Sequence, residues 1–417
     1  MPFNPHRHIP NHSISLTRWA KLRRIAAGCA LAAVCRGAPT DGEVTTFPLP
    51  DPLVRFDGTR VTTAREWNDL RRPELLAAFE REVYGVTPVR PLAMTAEVKD
   101  DSVTADGKMR RKQVTLTFRS EFGTATAELL IYAPAGARGP VPVFLGLNTG
   151  GNPTISQDPA ILGKGRRGRH ERRWPVEYVT AAGYAVATMC CDDFFPDKNE
   201  ASYAGSIQRL FPPGERGPGA DRWGAIATWA WGLSRALDYL ETDPQFDARR
   251  VAVIGHSRLG KAALWAGARD PRFACVLSND SGCGGAALSK RIFGETVKLI
   301  NEGFPHWFCH NFRKYNDREA DLPVDQHELL ALVAPRALGV HSASEDLWAD
   351  PAGERMALEL AQPVYALFDV PGLDAPATER RPRKLHYFLR PGEHDIILPD
   401  WQEYVRFVDQ ALEHGRR

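Results

Sequence analysis

The chain has 417 residues, 43% of them hydrophobic and 25% charged, which is enough to bury a sizeable core and excludes a disordered or collagen-like protein. Its 53 basic and 51 acidic residues give a formal net charge of +2, so no overall field selects nucleic acid or an acidic membrane surface. Seven cysteines without a CxxC pair indicate neither a disulfide framework nor a zinc finger.

The N-terminal segment has the layout of an export signal. Basic residues precede an apolar run at 25–35, which has the length of a signal-peptide core and is too short to span a bilayer. We predict an export signal at residues 1–38 and a periplasmic or secreted protein without a stable membrane span; a frayed tail is the alternative. Cys29 makes only a weak lipoprotein match. Five cysteines follow, an odd number that leaves a free thiol, and Cys283 with Cys309 is one candidate pair.

The next predicted elements are a helix and an antiparallel meander. Pro73 stands where a first helical turn tolerates proline, and apolar residues then recur at helical spacing up to Gly85, at Leu75, Leu76, Phe79 and Val83. Three segments with alternating or clustered apolar residues follow at 91–99, 110–119 and 124–133, with turn residues between them. They predict three antiparallel strands.

From residue 141 the pattern changes to short apolar runs separated by helical stretches. The runs lie at 141–147, 184–189, 251–254, 273–277, 337–340 and 385–389. Fully apolar strands of this kind indicate a parallel sheet covered on both faces. We expect Asp221 to cap a helix whose tryptophans, Trp223 and Trp231, pack in the core rather than hold a cofactor. The prediction is an α/β protein in which residues 39–417 form a single domain.

Two literal motif matches carry little weight. Residues 163–168 spell GxGxxG, but no apolar strand leads into them and no helix pattern follows, so a dinucleotide site is not expected. The same stretch stays basic as far as Arg173; a solvated loop is the favoured interpretation, and attraction of an acidic polymer is the alternative. His306 and His310 are four residues apart, but Trp307 occupies the place of the glutamate in HExxH, so no metal site is expected.

The strongest signal is a strand, a tight turn and a helix around Ser257. An apolar strand ends at Gly255, Ser257 follows two residues later, and small residues recur in the helix at Gly260, Ala262, Ala263 and Ala266. In a nucleophile elbow the serine projects from a sharp turn, and small neighbours let the strand and the helix approach. Here the second glycine comes three residues after the serine, where the usual motif places it two after. A serine that only caps an ordinary helix is the alternative.

A nucleophilic serine needs a base, and the base needs an acid that orients it; in α/β-hydrolases the acid and then the histidine follow the serine in the chain. His394 lies in a turn after the last predicted strand. Asp346 follows the preceding strand, and Asp280 follows the strand before that one. The order is therefore that of an α/β-hydrolase, with two candidates for the acid.

The segment around Ser257 also resembles a known family. The run Gly255-His256-Ser257-Arg258-Leu259-Gly260-Lys261 is similar to the GxSRxGK elbow of bacterial glucuronoyl esterases, carbohydrate esterase family 15, and this accounts for the displaced glycine. The similarity spans roughly residues 65–410 and includes 71–74, 84–85, 146–148, 278–287, 294–296, 304–308, 348–351 and 392–395. It implies a three-layer αβα α/β-hydrolase fold whose sheet is mostly parallel, with an antiparallel N-terminal portion.

The resemblance implies hydrolysis of the ester between 4-O-methyl-glucuronate of glucuronoxylan and an alcohol of lignin. Ser257 would attack, His394 would relay the proton, and Arg258 would assist the oxyanion. A further set would bind the sugar, namely Lys261, Glu295 and Trp348. We expect no cofactor, no metal and no nucleic-acid partner, and we expect a monomer.

One position departs from the family, which commonly has glutamate where this chain has Asp280. The shorter side chain reaches about 1.5 Å less, so we favour Asp346 as the acid that orients His394, with Asp280 as a helper. Two other functions stay open because a fold does not specify an ester: an acetylxylan or other carbohydrate esterase, and a catalytically silent module that binds polysaccharide.

Overall fold

The computed structural model describes residues 44–88, 92–198, 200–217, 219–374 and 382–412. The predicted export signal at 1–38 lies outside these residues. The part of the chain from Glu43 to Arg417 is one compact unit. Across the described residues, no helix combines the length and the apolar character needed to cross a bilayer.

Eleven strands are defined in the described part of the chain: β1 (Thr45–Thr46), β2 (Ala93–Val103), β3 (Met109–Ser120), β4 (Gly123–Pro134), β5 (Val141–Asn148), β6 (Ala185–Cys190), β7 (Phe246–His256), β8 (Cys275–Asn279), β9 (Arg291–Ile292), β10 (Ala337–Ala343) and β11 (Leu385–Arg390). Of these, nine form one mixed sheet in the order β11-β10-β8-β7-β5-β6-β4-β3-β2. The strands from β11 to β6 run parallel, and β4, β3 and β2 continue the sheet as an antiparallel meander. The predicted meander and parallel sheet are confirmed.

The α-helices are α1 (Ala64–Glu66), α2 (Arg72–Phe79), α3 (Val176–Ala181), α4 (Ala225–Thr242), α5 (Arg258–Arg269), α6 (Val297–Gly303), α7 (Gln326–Ala331), α8 (Pro351–Ala366) and α9 (Leu398–Leu412). Helices α3 and α9 cover one face of the sheet, while α4, α5 and α8 cover the other. Within β5, Val143 and Leu145 face the larger core and Phe144 faces the smaller one. Every residue of β5 is buried because both faces are covered, which is why the strand reads as a continuous apolar run.

Pro73 lies in the first turn of α2, as predicted, but the helical stretch begins earlier and one predicted cap is wrong. The stretch starts at Ala64, where Thr63 and Glu66 form a capping box, and π-helical turns join α1 to α2 and extend α2 to Tyr84. Asp221 does not cap α4, whose N-cap is Gly224. The Asp221 carbonyl instead accepts a hydrogen bond from the N–H of Val86, so a contact with a distant segment holds this stretch out of the helix.

The burial of the tryptophans follows the prediction, whereas the suggested disulfide does not form. Trp223 is fully buried and Trp231 is 7% exposed, so both pack in the core. The cysteines of the described residues are all free and buried, including Cys283 and Cys309. The suggested pairing of these two is therefore wrong.

Candidate active site

Ser257 lies at the junction of β7 and α5, at the carboxyl edge of the parallel strands. Its backbone has φ 58° and ψ −129°, a conformation that non-glycine residues rarely adopt, and its N–H donates to the carbonyl of Asn279 at 2.8 Å. A side chain at Gly255 would place its Cβ 2.0 Å from the Leu259 carbonyl oxygen, and one at Gly260 would reach the Ser281 Cβ at 3.0 Å. The two glycines therefore allow the sharp turn, and the displaced second glycine fits close packing of α5 on β8.

His394 and Asp346 come together from the loops that follow β11 and β10. Nδ1 of His394 is 2.5 Å from Oδ2 of Asp346, whose side chain is only 5% exposed, while the His394 side chain is 42% exposed. Arg390 orders the histidine loop by donating from Nη2 to the carbonyls of Glu393 and Asp395, at 2.8 and 2.9 Å. A buried acid thus meets an accessible imidazole.

The His394 ring also lies against the strand that carries the serine. Its centroid is 4.5 Å from that of His256, the residue before Ser257. His256 is in turn held by Asn279, with Nδ1 2.6 Å from Oδ1. Burial and the neighbouring His394 keep the pKa of His256 well below its usual range, so this ring is neutral. The packing of the two rings brings His394 beside the elbow.

Asp280 follows β8 and has a positive φ of 45°. Its Oδ1 accepts the N–H of Ala343 at 2.6 Å, and among the described residues its buried Oδ2 has no hydrogen-bond partner. Burial and the carboxylates of Glu354 and Asp346 raise the pKa of Asp280 to about 9, so it carries a proton at neutral pH.

A metal ion could be held by one group of three within the described residues, in which the ligand atoms of Asp280, Asp346 and His394 lie within 4.8 Å of one another. Because Nδ1 of His394 lies within hydrogen-bond distance of Asp346, we interpret this group as an acid that is hydrogen-bonded to a base. Of the two histidines whose spacing the sequence analysis considered, His306 places its Nε2 2.9 Å from Oδ1 of Asp197.

Arg258, the first residue of α5, is held by an acid that the sequence analysis did not single out. Its guanidinium pairs with Asp197 and lies over the rings of Trp307 and Phe304, at 4.7 and 5.3 Å from their centroids. Burial opposes the ionisation of Asp197, but the hydrogen bond with His306, the Arg258 charge and a 2.9 Å hydrogen bond from Trp307 outweigh it and lower the pKa of Asp197 to about 2. The position of Asp197 shortly after β6, at the same edge of the sheet, was the available sequence signal.

Lys261, Glu295 and Trp348 form a second group near Arg258. The Lys261 Nζ lies 3.9 Å from Oε2 of Glu295 and donates to the Ser281 carbonyl at 2.5 Å. Burial lowers the pKa of Lys261 and raises that of Glu295, each shift being opposed by the charge of the other residue. The Glu295 N–H donates to the Trp348 carbonyl at 2.9 Å, and the Trp348 side chain is exposed.

Sequence comparisons find relatives along most of the chain. A sequence model described as glucuronyl esterase of fungi matches residues 117–369. Carbohydrate esterase MZ0003, from an unknown prokaryotic organism, is 46% identical over 400 residues, which cover 90% of this chain and 92% of the relative. The 4-O-methyl-glucuronoyl methylesterase 1 of Wolfiporia cocos is 29% identical, covering 90% and 81%.

Solved structures give the same result. A promiscuous CE15 esterase from a marine bacterial metagenome has 44% identity and a TM-score of 0.81, with 90% of this chain and all of that chain covered. The glucuronoyl esterase of Solibacter usitatus has 42% identity and a TM-score of 0.82, with coverage of 89% and 100%. The chain therefore belongs to the glucuronoyl esterases of carbohydrate esterase family 15, a family of carboxylic ester hydrolases.

Proposed function

We propose that the chain is a serine esterase that hydrolyses the ester between 4-O-methyl-glucuronate of glucuronoxylan and an alcohol of lignin. The observation that carries the proposal is the ring of His394, which packs beside the Ser257 elbow with its Nδ1 2.5 Å from Asp346. Relatives named 4-O-methyl-glucuronoyl methylesterase support the class of ester.

In the proposed reaction, Oγ of Ser257 attacks the ester carbonyl and its proton passes to Nε2 of His394. Asp346 accepts a hydrogen bond from Nδ1, which leaves Nε2 free to take the proton and stabilises the imidazolium that forms. The bond to the alcohol then breaks as Nε2 protonates the leaving oxygen, and the glucuronoyl group remains on Ser257. A water molecule that loses its proton to Nε2 releases the acid and restores the serine.

The negative oxygen of the tetrahedral intermediate is assigned to the start of α5. The Arg258 N–H and the positive end of the helix dipole face developing charge there, and the guanidinium adds a fixed cation. Asp197 and the rings of Trp307 and Phe304 hold that guanidinium in place. One well-placed donor of this kind contributes about 3 kcal/mol to the stability of the transition state.

Sugar binding is assigned to the second group of side chains. Lys261 and Glu295 present a buried cation and a carboxyl group 3.9 Å apart, which suits paired hydrogen bonds to neighbouring sugar hydroxyls. Trp348 offers an exposed aromatic face beside them. The arrangement supports a subsite for the glucuronoyl ring rather than for the alcohol.

The proposal is tested with purified protein on benzyl glucuronate and on p-nitrophenyl acetate. We expect kcat/KM for benzyl glucuronate to be higher by at least about 10²-fold, because sugar contacts stabilise only the larger transition state. Ser257→Ala is the control and should lose turnover on both esters. Faster hydrolysis of the acetate would favour an acetyl esterase, and failure of Ser257 to react with a serine-directed phosphonate would indicate a silent binding module.

We also propose that the protein is exported and that the export signal within residues 1–38 is removed. The basic flank and the short apolar run support a cleaved signal. Intact-mass measurement of the protein recovered from the envelope fraction of its host tests this. A chain that still begins at residue 1 or 2 would contradict export with cleavage.

A further inference from the structure

Residues 163–173, called the basic segment below, are the most positively charged stretch near the active-site edge of the sheet. They contain six Lys or Arg residues and one acid, Glu171, in a chain whose formal net charge is only +2. The side chains of Lys164, Arg166, Arg169 and Arg172 are exposed, and the structure gives them no hydrogen bond or ion pair with any other described residue. Their charge is therefore available to an external anion.

The backbone of the basic segment is held in one shape. The N–H of Gly168 donates to the Pro153 carbonyl at 3.0 Å, and the N–H of His170 donates to the Thr154 carbonyl at 2.7 Å. The guanidinium of Arg167 donates to backbone carbonyls of residues 158 and 161, so this arginine anchors the segment from inside. An ordered loop loses less conformational entropy when it binds a ligand than a free one does.

The basic segment reaches the loop of the catalytic histidine. It lies in the connection after β5, the strand that pairs with β7 in the sheet, so it stands at the edge that carries Ser257. At its end, Nε of Arg173 is 2.5 Å from Oδ1 of Asp395, the residue after His394. The Arg173 carbonyl also accepts the indole N–H of Trp401 at 3.0 Å. The end of the basic segment therefore contacts the loop that carries His394.

We propose that the basic segment is an anion-binding rim that holds unesterified uronate carboxylates of the polysaccharide whose esterified uronate lies at Ser257. The inference rests on the proposed function for its choice of polymer. The reacting ester is neutral, so the arginines do not attract it electrostatically. Neighbouring free uronates on the same polysaccharide each carry one negative charge. Exposed arginines pair with carboxylates in a bidentate way, and several together hold a polyanion that a single surface pair would not.

Binding to fully saponified glucuronoxylan oligosaccharides tests the rim without any esterase turnover. We compare the full chain with the triple variant Arg166→Gln, Arg169→Gln and Arg172→Gln, at low salt, by calorimetry. We expect Kd to rise by about tenfold in the variant, and we expect added salt to weaken wild-type binding more than variant binding. Uncharged xylan oligosaccharides of the same length should bind both proteins equally.

The matched control removes three arginines elsewhere, Arg65→Gln, Arg138→Gln and Arg249→Gln. These side chains are exposed, and Arg138 and Arg249 lie near the amino ends of β5 and β7, away from Ser257. We expect this control to bind saponified glucuronoxylan within about twofold of wild type. A charge-retaining variant with Arg166→Lys, Arg169→Lys and Arg172→Lys should stay within about threefold, which also excludes a general folding defect.

The outcomes separate this proposal from the proposed function. If wild type and the Gln triple variant bind saponified glucuronoxylan equally, the proposal of an anion-binding rim is overturned, whatever the activity on benzyl glucuronate. If the Gln triple variant loses affinity for duplex DNA or anionic vesicles to the same extent, the assignment to uronates is overturned and general attraction of polyanions is indicated. A loss confined to the uronate polymer supports the rim even if the esterase assay fails.

Discussion

Asp280 and Asp346 stand after the neighbouring strands β8 and β10, and each has an oxygen within 4.8 Å of His394, yet their surroundings differ. Asp346 contacts the histidine directly at 2.5 Å. Asp280 accepts a backbone N–H from Ala343 with one oxygen, its other oxygen has no hydrogen-bond partner among the described residues, and its pKa is raised to about 9. Two residues of the same type at the same edge therefore differ in their contact with His394, and Asp280 carries a proton at neutral pH.

The difference shows that an aspartate at the end of a strand near the histidine does not orient it by position alone. Two carboxylates that lie close together in a buried site cannot both ionise at little cost, so one keeps its proton. A third carboxyl group, on Glu354, adds to this effect; it is fully buried, and burial raises its pKa to about 7. Asp346 is the member of the group that contacts His394 directly, which supports its assignment as the orienting acid.

The largest effect is expected from His394→Ala, which removes the residue that both aspartates would serve. We expect kcat on benzyl glucuronate to fall by roughly 10⁴-fold or more, because the serine then lacks its base. The contrast between Asp346→Asn and Asp280→Asn should vanish when either is added to His394→Ala. Retention of more than about a hundredth of wild-type kcat would contradict the role of His394.

The direct test of the comparison is Asp346→Asn against Asp280→Asn, which removes a charge or a proton with almost no change of volume. We expect Asp346→Asn to lose about 10²- to 10⁴-fold in kcat, since the imidazolium loses its counter-charge. Asp280→Asn should stay within about tenfold, because asparagine resembles the neutral acid already present. Steady-state kinetics on benzyl glucuronate measures both. The reverse order of losses would assign the orienting role to Asp280.

A smaller effect sharpens the comparison by moving the acid from one strand end to the other. In the double variant Asp346→Asn, Asp280→Glu, the added methylene extends the reach toward His394 by about 1.5 Å. Loss of the Asp346 charge also removes one cause of the raised pKa at this position. We expect about a tenfold recovery of kcat over Asp346→Asn alone. Asp280→Glu in the wild-type background is the control, and no recovery in the double variant would show that backbone position, not reach, excludes this site.

The smallest effect concerns stability and its dependence on pH. Asp280 keeps its proton in the folded protein up to about pH 9, whereas in the unfolded chain it loses the proton above about pH 4, so unfolding releases a proton between these values and stability falls as pH rises. Asp280→Asn removes this dependence. We expect the difference in melting temperature, variant minus wild type, to increase by about 2 °C for each pH unit between pH 5 and 8. Parallel melting curves for the two proteins across this range would mean that Asp280 is ionised when folded.

Much of the fold could be predicted because its signals are local. The apolar runs from 141 to 389 became parallel strands, since a strand buried on both faces has no room for alternating polar residues. The boundary at Asp221 was wrong because the contact of this stretch with Val86 pairs residues 135 positions apart, a relation that local pattern does not contain. The start of the first helix was missed although Thr63 and Glu66 spell a capping box.

The sequence by itself determined the elements, the elbow at Ser257 and the chain order of serine, aspartate and histidine, because periodicity, turn chemistry and order are properties of neighbouring residues. Tertiary structure alone decided which carboxylate meets His394, 48 positions away, and which acid holds Arg258, 61 positions away. It also decided which aspartate keeps its proton. The physical reason is that the ionisation and reach of a carboxyl group depend on burial and on the charges packed around it, and those neighbours are brought together only by the folded sheet.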